Sequence, residues 1–253
     1  MCATCGCNNA NSILGHEHHH SHDDKTHSHQ HGHKSVIEIE KDILSENNLL
    51  AQRNRGYLDA KNILAINLVS SPGSGKTALL EKTLTDLKSV YNFAVIEGDL
   101  QTTNDADRIH ATGTKVVQIN TGKGCHLDAH MVMHAIQDMK LANDTVLFIE
   151  NVGNLVCPAM FDLGETERVV IISVTEGDDK PLKYPDMFYS SNLCIINKTD
   201  LLPYVSFSME KVKANALKIN PALTIIELSC TSGDGLQEWY KWLKSKVPVP
   251  DFV

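Results

Sequence analysis

The chain has 253 residues, 42% of them hydrophobic and 21% charged, with a formal net charge of −8. That is enough apolar material for a proper core in one large domain or two small ones, and the acidic balance argues against a general binder of nucleic acid or of anionic membranes. No apolar run approaches the ~18 residues of a membrane span, and the polar N-terminus lacks the apolar stretch of a secretory signal, so a cytoplasmic protein is expected. The seven cysteines, an odd number in a reducing setting, read as metal ligands or core residues and not as a disulfide framework.

Residues 1–35 hold Cys2, Cys5 and Cys7 in CATCGC and nine histidines between His16 and His33. With almost no apolar periodicity, this stretch is expected to be a disordered tail with metal-binding composition. The histidines are interleaved with Ser, Asp, Lys and Gln, unlike the unbroken block of a purification tag. Three thiols, with the amino group of Cys2 if Met1 is removed, could surround one metal ion, with the histidines as a weaker store.

Residues 36–60 are helical in pattern, with Ile39, Ile43, Leu49, Leu50 and Leu58 among charged residues and Gly56 interrupting. From residue 61 to 253 a regular alternation follows. Apolar β-type runs occur at Ile63–Val69, Phe93–Ile96, Lys115–Ile119, Thr145–Ile149, Val169–Val174, Leu193–Ile196 and Leu223–Leu228. Helical stretches at Lys76–Tyr91, Leu127–Leu141, Ser208–Asn220 and Leu236–Lys246 separate most of them. Near-continuous apolar strands between helices predict one α/β domain, a mostly parallel central sheet with helices on both faces.

The first strand runs into SSPGSGKT, residues 70–77, and then a helix, the context of a phosphate-binding P-loop. Gly73, Ser74, Gly75 and Ala78 would supply backbone N–H groups to phosphate oxygens, Lys76 a charge, and Thr77 a hydroxyl for Mg²⁺. Ser70 stands where the usual pattern has glycine. Asn197-Lys198-Thr199-Asp200 follows a later strand at its carboxyl end, where open α/β sheets bind ligands. An aspartate there accepts from two adjacent donors that guanine presents and adenine does not, which points to GTP and GDP. Ser229 and Cys230, in SCTSG after the last strand, resemble the loop that supports the guanine. Glu97-Gly98-Asp99 and Glu150-Asn151-Val152-Gly153 end the second and fourth strands, offering carboxylates for Mg²⁺ and the Gly153 N–H for a γ-phosphate. Arg108 is the nearest candidate cation for transition-state charge, and reads equally well as a surface helix arginine.

In TGKGCHLDAHMVMHA, residues 121–135, Cys125 and His126 sit at a predicted loop-to-helix junction, and thiolate plus imidazole suits Ni²⁺ or Zn²⁺. Cys157, in NLVCP after the fourth strand, could approach the same face. A helix starting near His126 would put Leu127, Met131, Ala135 and Met139 on one face and His126, His130 and His134 on a stripe beside it, leaving Asp128 within the apolar arc. Cys194 reads as core, and Cys230 as packing.

Taken together, SSPGSGKT, EGDLQTTNDADRI, GKGCHLDAHMV, ENVGNLVCP, TEGDDKPLKYP and NKTDLL, in that order, resemble the hydrogenase nickel-incorporation GTPases, the HypB family of the SIMIBI class. The resemblance implies a GTP-dependent homodimer that helps deliver Ni²⁺ to the [NiFe]-hydrogenase large subunit, with a HypA-type zinc protein as partner. It implies a metal site of Cys125, His126 and Cys157 at the dimer interface and a tighter one of Cys2, Cys5 and Cys7. Lys76, Thr77, Asp99 and Glu150 would serve phosphate and Mg²⁺, and Asn197, Lys198 and Asp200 the base. Two other readings stand beside it. A nickel-storage protein would make the tail primary, whereas a urease-type nickel GTPase would carry Cys-Pro-His where Cys157-Pro158-Ala159 stands.

Overall fold

The computed structural model describes residues 36–99, 104–122 and 124–247. The expectations for CATCGC and the histidine run therefore lie outside the described residues. The chain runs α1 (Val36–Ala60), β1 (Leu64–Ser70), α2 (Lys76–Leu87), β2 (Asn92–Asp99), α3 (Asn104–Ala111), β3 (Lys115–Asn120), α4 (Ala129–Met139), β4 (Thr145–Gly153) and α5 (Cys157–Met160). It continues through β5 (Glu167–Ser173), α6 (Lys180–Lys183), α7 (Pro185–Tyr189), β6 (Leu193–Asn197), a 3₁₀ turn (Thr199–Tyr204), α8 (Met209–Ile219), β7 (Thr224–Glu227) and α9 (Leu236–Lys246).

The seven strands form one all-parallel sheet in the order β3-β2-β4-β1-β5-β6-β7. Strands β1, β5 and β6 are buried along their whole length, as expected of parallel strands covered on both faces. Alternate residues of β1 serve opposite cores. Leu64, Ile66 and Leu68 pack with Leu79, Leu80 and Leu84 of α2 and Trp239 and Leu243 of α9, whereas Ala65 packs with Leu58 of α1 and Val132 and Ile136 of α4. A third cluster joins Val69 to Phe188 of α7 and Val212 of α8. Since all strands run the same way, the loops after β1, β2, β4, β6 and β7, which hold the candidate nucleotide residues, gather at the carboxyl end of the sheet.

Three expectations change. The segment 36–60 is one continuous helix through Gly56, and its buried face is the stripe Asn47, Ala51, Asn54 and Leu58, which takes in only the last of the apolar residues that marked the pattern. Leu49 is 74% exposed, and Ile39 and Ile43 also face solvent. Helix α4 starts at Ala129, not near His126, because the Asp128 side chain accepts from the Met131 N–H as an N-cap, which also explains a carboxylate amid apolar residues. His126 is consequently in the preceding loop and leaves the predicted histidine stripe, of which only His130 and His134 share the helix. Helix α3 was not expected from periodicity, since it buries only Ala106 and Ile109.

Candidate nucleotide and metal sites

Strand β1 ends at Ser70, buried beside the loop 71–75 that feeds α2. Gly73 and Gly75 take positive φ, 75° and 98°, and a side chain at Gly75 would also collide with the Asn197 amide, so the tight turn requires glycine there. The departure at Ser70 has a use: its hydroxyl accepts from Lys76 Nζ at 2.7 Å and donates to the Ser71 carbonyl at 2.7 Å. Lys76 is buried, and desolvation lowers its pKa against the opposing pull of Glu150, Asp105, Glu97 and Glu176. Thr77 Oγ1 donates to Glu150 Oε1 at 2.7 Å, joining the loop to the end of β4. Ala78 follows in the first turn of α2. Gly153 lies against Pro72, where a Cβ would come within 3.0 Å of the proline backbone.

The residues expected to read the base are linked to the same loop from β6. Asn197 Nδ2 donates to the Ser74 carbonyl at 2.9 Å, and Lys198 Nζ to the Gly73 carbonyl at 2.7 Å. Ser229 Oγ donates to Asp200 Oδ1 at 2.5 Å, and the Cys230 N–H reaches Asn197 Oδ1 at 3.4 Å. Two loops from separate strands thus converge on Asn197. Burial pushes the Cys230 thiol up to about 11 and the Cys194 thiol up to about 12, which keeps both protonated in packing roles.

Beside the phosphate loop, Glu97, Asp105 and Glu150 bring carboxylate oxygens within 4.8 Å of one another. Glu97 Oε2 and Glu150 Oε2 are buried without a hydrogen-bond partner. Burial, then the charges of Glu150, Asp99 and Asp105, raise the Glu97 carboxyl to about 8, and burial also raises Glu150. Orphaned buried oxygens and mutually repelling carboxylates fit a hard divalent cation such as Mg²⁺. Asp99, expected as a ligand, lies next to this trio without belonging to it. Glu97 was named only as part of its strand-end triplet, and Asp105 was missed because α3 was. A carboxylate in the first turn of an unrecognised helix carries no periodic signal. Arg108 pairs with Glu81 at 2.6 Å and with Asp105 at 3.4 Å on the exposed side of α3.

The second group that could hold a metal is Cys125, His126 and Cys157, again with donor atoms within 4.8 Å. The two sulfurs are 3.0 Å apart, and Cys125 Sγ is 3.8 Å from His126 Nδ1. The His126 ring stacks on Phe161 with centroids 4.0 Å apart, and desolvation lowers its pKa, favouring the neutral imidazole that a metal requires. Two soft donors and an imidazole suit Ni²⁺ or Zn²⁺. His130 and His134 form a separate exposed pair, Nε2 to Nε2 3.2 Å.

The two centres share chain. Glu150 opens and Cys157 closes the segment ENVGNLVC, and within it Asn151 Oδ1 accepts from the N–H of Leu127 at 3.2 Å and of Val152 at 3.0 Å. Asn154 Nδ2 donates to the Cys125 carbonyl at 3.3 Å. Leu127, fully buried, packs on Gly98 of β2 so closely that any Cβ there would come within 2.8 Å of its Cγ.

Residues 64–227 match the family described as CobW/HypB/UreG, nucleotide-binding domain. The chain is 56% identical over 209 residues to the hydrogenase maturation factor HypB of Rhizobium leguminosarum bv. viciae, covering 83% of this chain and 70% of that one. To the Escherichia coli K12 protein of the same name it is 56% identical over 213 residues, covering 84% and 73%. Among solved structures, HypB from Archaeoglobus fulgidus superposes with a TM-score of 0.76 at 42% identity, covering 81% of this chain and all of that one. HypB from Helicobacter pylori, solved in complex with nickel, superposes with a TM-score of 0.73 at 37% identity, covering 82% and 100%. A parallel sheet with a P-loop after its central strand, a guanine-type loop after β6 and this degree of identity agree: the chain belongs to the HypB family of CobW/HypB/UreG nucleotide-binding proteins.

Proposed function

We propose that this chain is a GTP-hydrolysing nickel metallochaperone of the cytoplasm that facilitates insertion of Ni²⁺ during [NiFe]-hydrogenase maturation. The observation that carries the reading is the segment from Glu150 to Cys157, which begins in the acidic trio and ends in the thiol–imidazole group. In this reading Gly73, Ser74, Gly75, Lys76, Thr77, Ala78 and Gly153 bind the phosphates, and Asn197, Lys198, Asp200, Ser229 and Cys230 hold the guanine. Thr77, Asp99 and Glu150, with Glu97 and Asp105 beside them, would hold Mg²⁺, which would screen the phosphate charge. Lys76 neutralises the developing charge on the β/γ oxygens.

Nickel is the cargo. Cys125, His126 and Cys157 receive it, Zn²⁺ being the competitor for the same donors, and Cys2, Cys5 and Cys7 form a second site. GTP closes two protomers so that their metal groups approach; hydrolysis loosens the pair and changes the coordination. A HypA-type zinc protein and the hydrogenase large subunit are the partners downstream.

The test is nickel affinity of the full chain with GDP and with a non-hydrolysable GTP analogue, together with hydrogenase maturation by Cys125→Ala under limiting nickel. Equal affinities rule out the coupling, and undiminished maturation by a folded Cys125→Ala protein rules out delivery through this site. The nine histidines between His16 and His33 favour nickel storage as a second activity. Deleting residues 16–33 should lower bound nickel while leaving maturation intact when nickel is plentiful.

A further inference from the structure

Helix α1 precedes the matched nucleotide-binding domain, and its buried face carries two asparagines where an amphipathic helix would place apolar residues. Asn47 and Asn54, 5% and 3% exposed, lie two turns apart with Ala51 between them and Leu58 beyond. A buried amide costs free energy unless its hydrogen bonds are made, so the partners are informative.

All of those partners lie in the two segments, 125–129 and 157–163, that carry Cys125, His126 and Cys157. Asn47 Oδ1 accepts from the N–H of Ala129, the first residue of α4, at 2.9 Å, and Asn54 Nδ2 donates to the Ala129 carbonyl at 2.8 Å. Ala129 thus has its N–H and its carbonyl held by α1, three residues after His126. On the other loop, Asn47 Nδ2 donates to the Asp162 carbonyl at 2.8 Å and Asn54 Nδ2 to the Leu163 carbonyl at 3.0 Å. Arg55 adds a bidentate pair to the Asp162 carboxylate, at 2.8 and 3.0 Å. Gly164, φ 89°, sits so close to α1 that a Cβ would come within 2.6 Å of the Ala51 carbonyl. Phe161, on which His126 stacks, is the residue before Asp162. Each asparagine therefore binds both loops at once, bridging a site whose donors come from both.

We propose that Asn47 and Asn54 are positioning residues for the thiol–imidazole metal site. Helix α1 clamps the Cys125–Ala129 loop to the Cys157–Leu163 loop and so sets the spacing of the donors. The proposal rests on the reading of Cys125, His126 and Cys157 as a metal site and assigns it a determinant that lies outside the nucleotide-binding domain and touches neither metal nor nucleotide. Conversely, any partner that displaces α1 loosens both ligand loops together.

The experiment uses the full chain with Cys2, Cys5 and Cys7 changed to serine, so that thiolate-to-nickel charge-transfer absorption reports only the second site. Asn54→Ala cuts one bond to each loop. Asn47→Asp keeps the acceptor for Ala129 and places a carboxylate against the Asp162 carbonyl. Arg55→Ala, at a half-exposed ion pair, is the variant least able to impair folding.

Removing groups that orient metal ligands typically lowers affinity ~10–100-fold. Asn54→Ala and Asn47→Asp are expected in that range with a displaced charge-transfer band, Arg55→Ala at its lower end, and GDP affinity unchanged within about twofold. Unaltered band and nickel affinity in folded Asn54→Ala, or in Arg55→Ala should the asparagine variants not fold, overturn the clamp. Loss of nickel and GDP binding by a common factor also overturns it, since that is a general structural effect. Cys125→Ala in the same background must abolish the band; if it does not, the metal-site reading itself fails, and the clamp with it.

Discussion

Glu97→Gln should make the nucleotide-free protein more stable at alkaline pH and nearly unchanged at acid pH. Glu97 is buried at the end of β2, with carboxylate oxygens of Asp105 and Glu150 within 4.8 Å. Burial and those charges hold its proton up to about 8, against an ordinary value of 4.5. A native group that binds its proton more tightly than the unfolded chain contributes stability that is fully present below the unfolded value and lost as pH rises to the folded one. The window therefore runs from 4.5 to about 8. At ~1.36 kcal/mol per pH unit the difference sets a ceiling of roughly 5 kcal/mol on the cost of ionised Glu97. Water and counter-ions around the trio reduce this to on the order of 2 kcal/mol. Glutamine keeps the shape and cannot ionise. Urea denaturation of parent and variant, free of nucleotide and divalent ions, should give equal stabilities near pH ~4 and a variant ~2 kcal/mol more stable near pH ~9. Adding Mg²⁺ with nucleotide should erase the variant's advantage, because a cation among the carboxylates removes the repulsion. Parallel pH profiles from acid to alkali would refute the burial-and-repulsion account of this trio.

Gly75→Ala combines a left-handed φ of 98° with a collision against the Asn197 amide, so GDP affinity should fall at least ~10-fold in fluorescence titration, a loss of ~1.4 kcal/mol or more. Asp200→Asn should weaken GTP by ~100-fold while improving xanthosine triphosphate, since the amide offers a donor where guanine also has donors; competition binding measures both. Leu127→Ala, at a fully buried side chain between Gly98 and the Cys125–His126 loop, should cost about 2–5 kcal/mol in urea and lower nickel affinity more than GDP affinity.

The seven strands were readable because each is an apolar run long enough to stand out, and the P-loop because its glycines and Lys-Thr follow one of them. Helix α1 was readable as a helix but not in its orientation. Hydrophobicity points to Ile39, Ile43, Leu49, Leu50 and Leu58, of which Leu58 alone is fully buried, whereas the buried face is organised by Asn47 and Asn54, whose burial depends on carbonyls and an N–H at positions 129, 162 and 163. No local pattern encodes partners that far along the chain. Asp128 was an anomaly in the helical wheel until the helix start moved by three residues and made it a cap. Asp105 was invisible for the opposite reason: α3 is short and polar, and its carboxylate acquires meaning only beside Glu97 and Glu150.

If Cys125, His126 and Cys157 hold a metal as proposed, the site has two supports. Strand β4 continues into the loop that ends at Cys157, so a displacement at Glu150 reaches that ligand along the backbone, and through Asn151 and Asn154 it reaches Leu127 and Cys125 as well. Backbone connection alone would move both ligand loops as a rigid unit and leave their spacing unchanged. A change in coordination requires that something else resist. Helix α1 is joined to the far ends of the same loops, at Ala129 and at Asp162–Leu163, and supplies that resistance from the opposite side. With one support tied to the strand ends and the other to a helix outside the nucleotide-binding domain, the proposed coupling predicts that a sub-ångström shift at bound phosphates would become a change in donor spacing, because packed elements respond by switching arrangement instead of deforming smoothly.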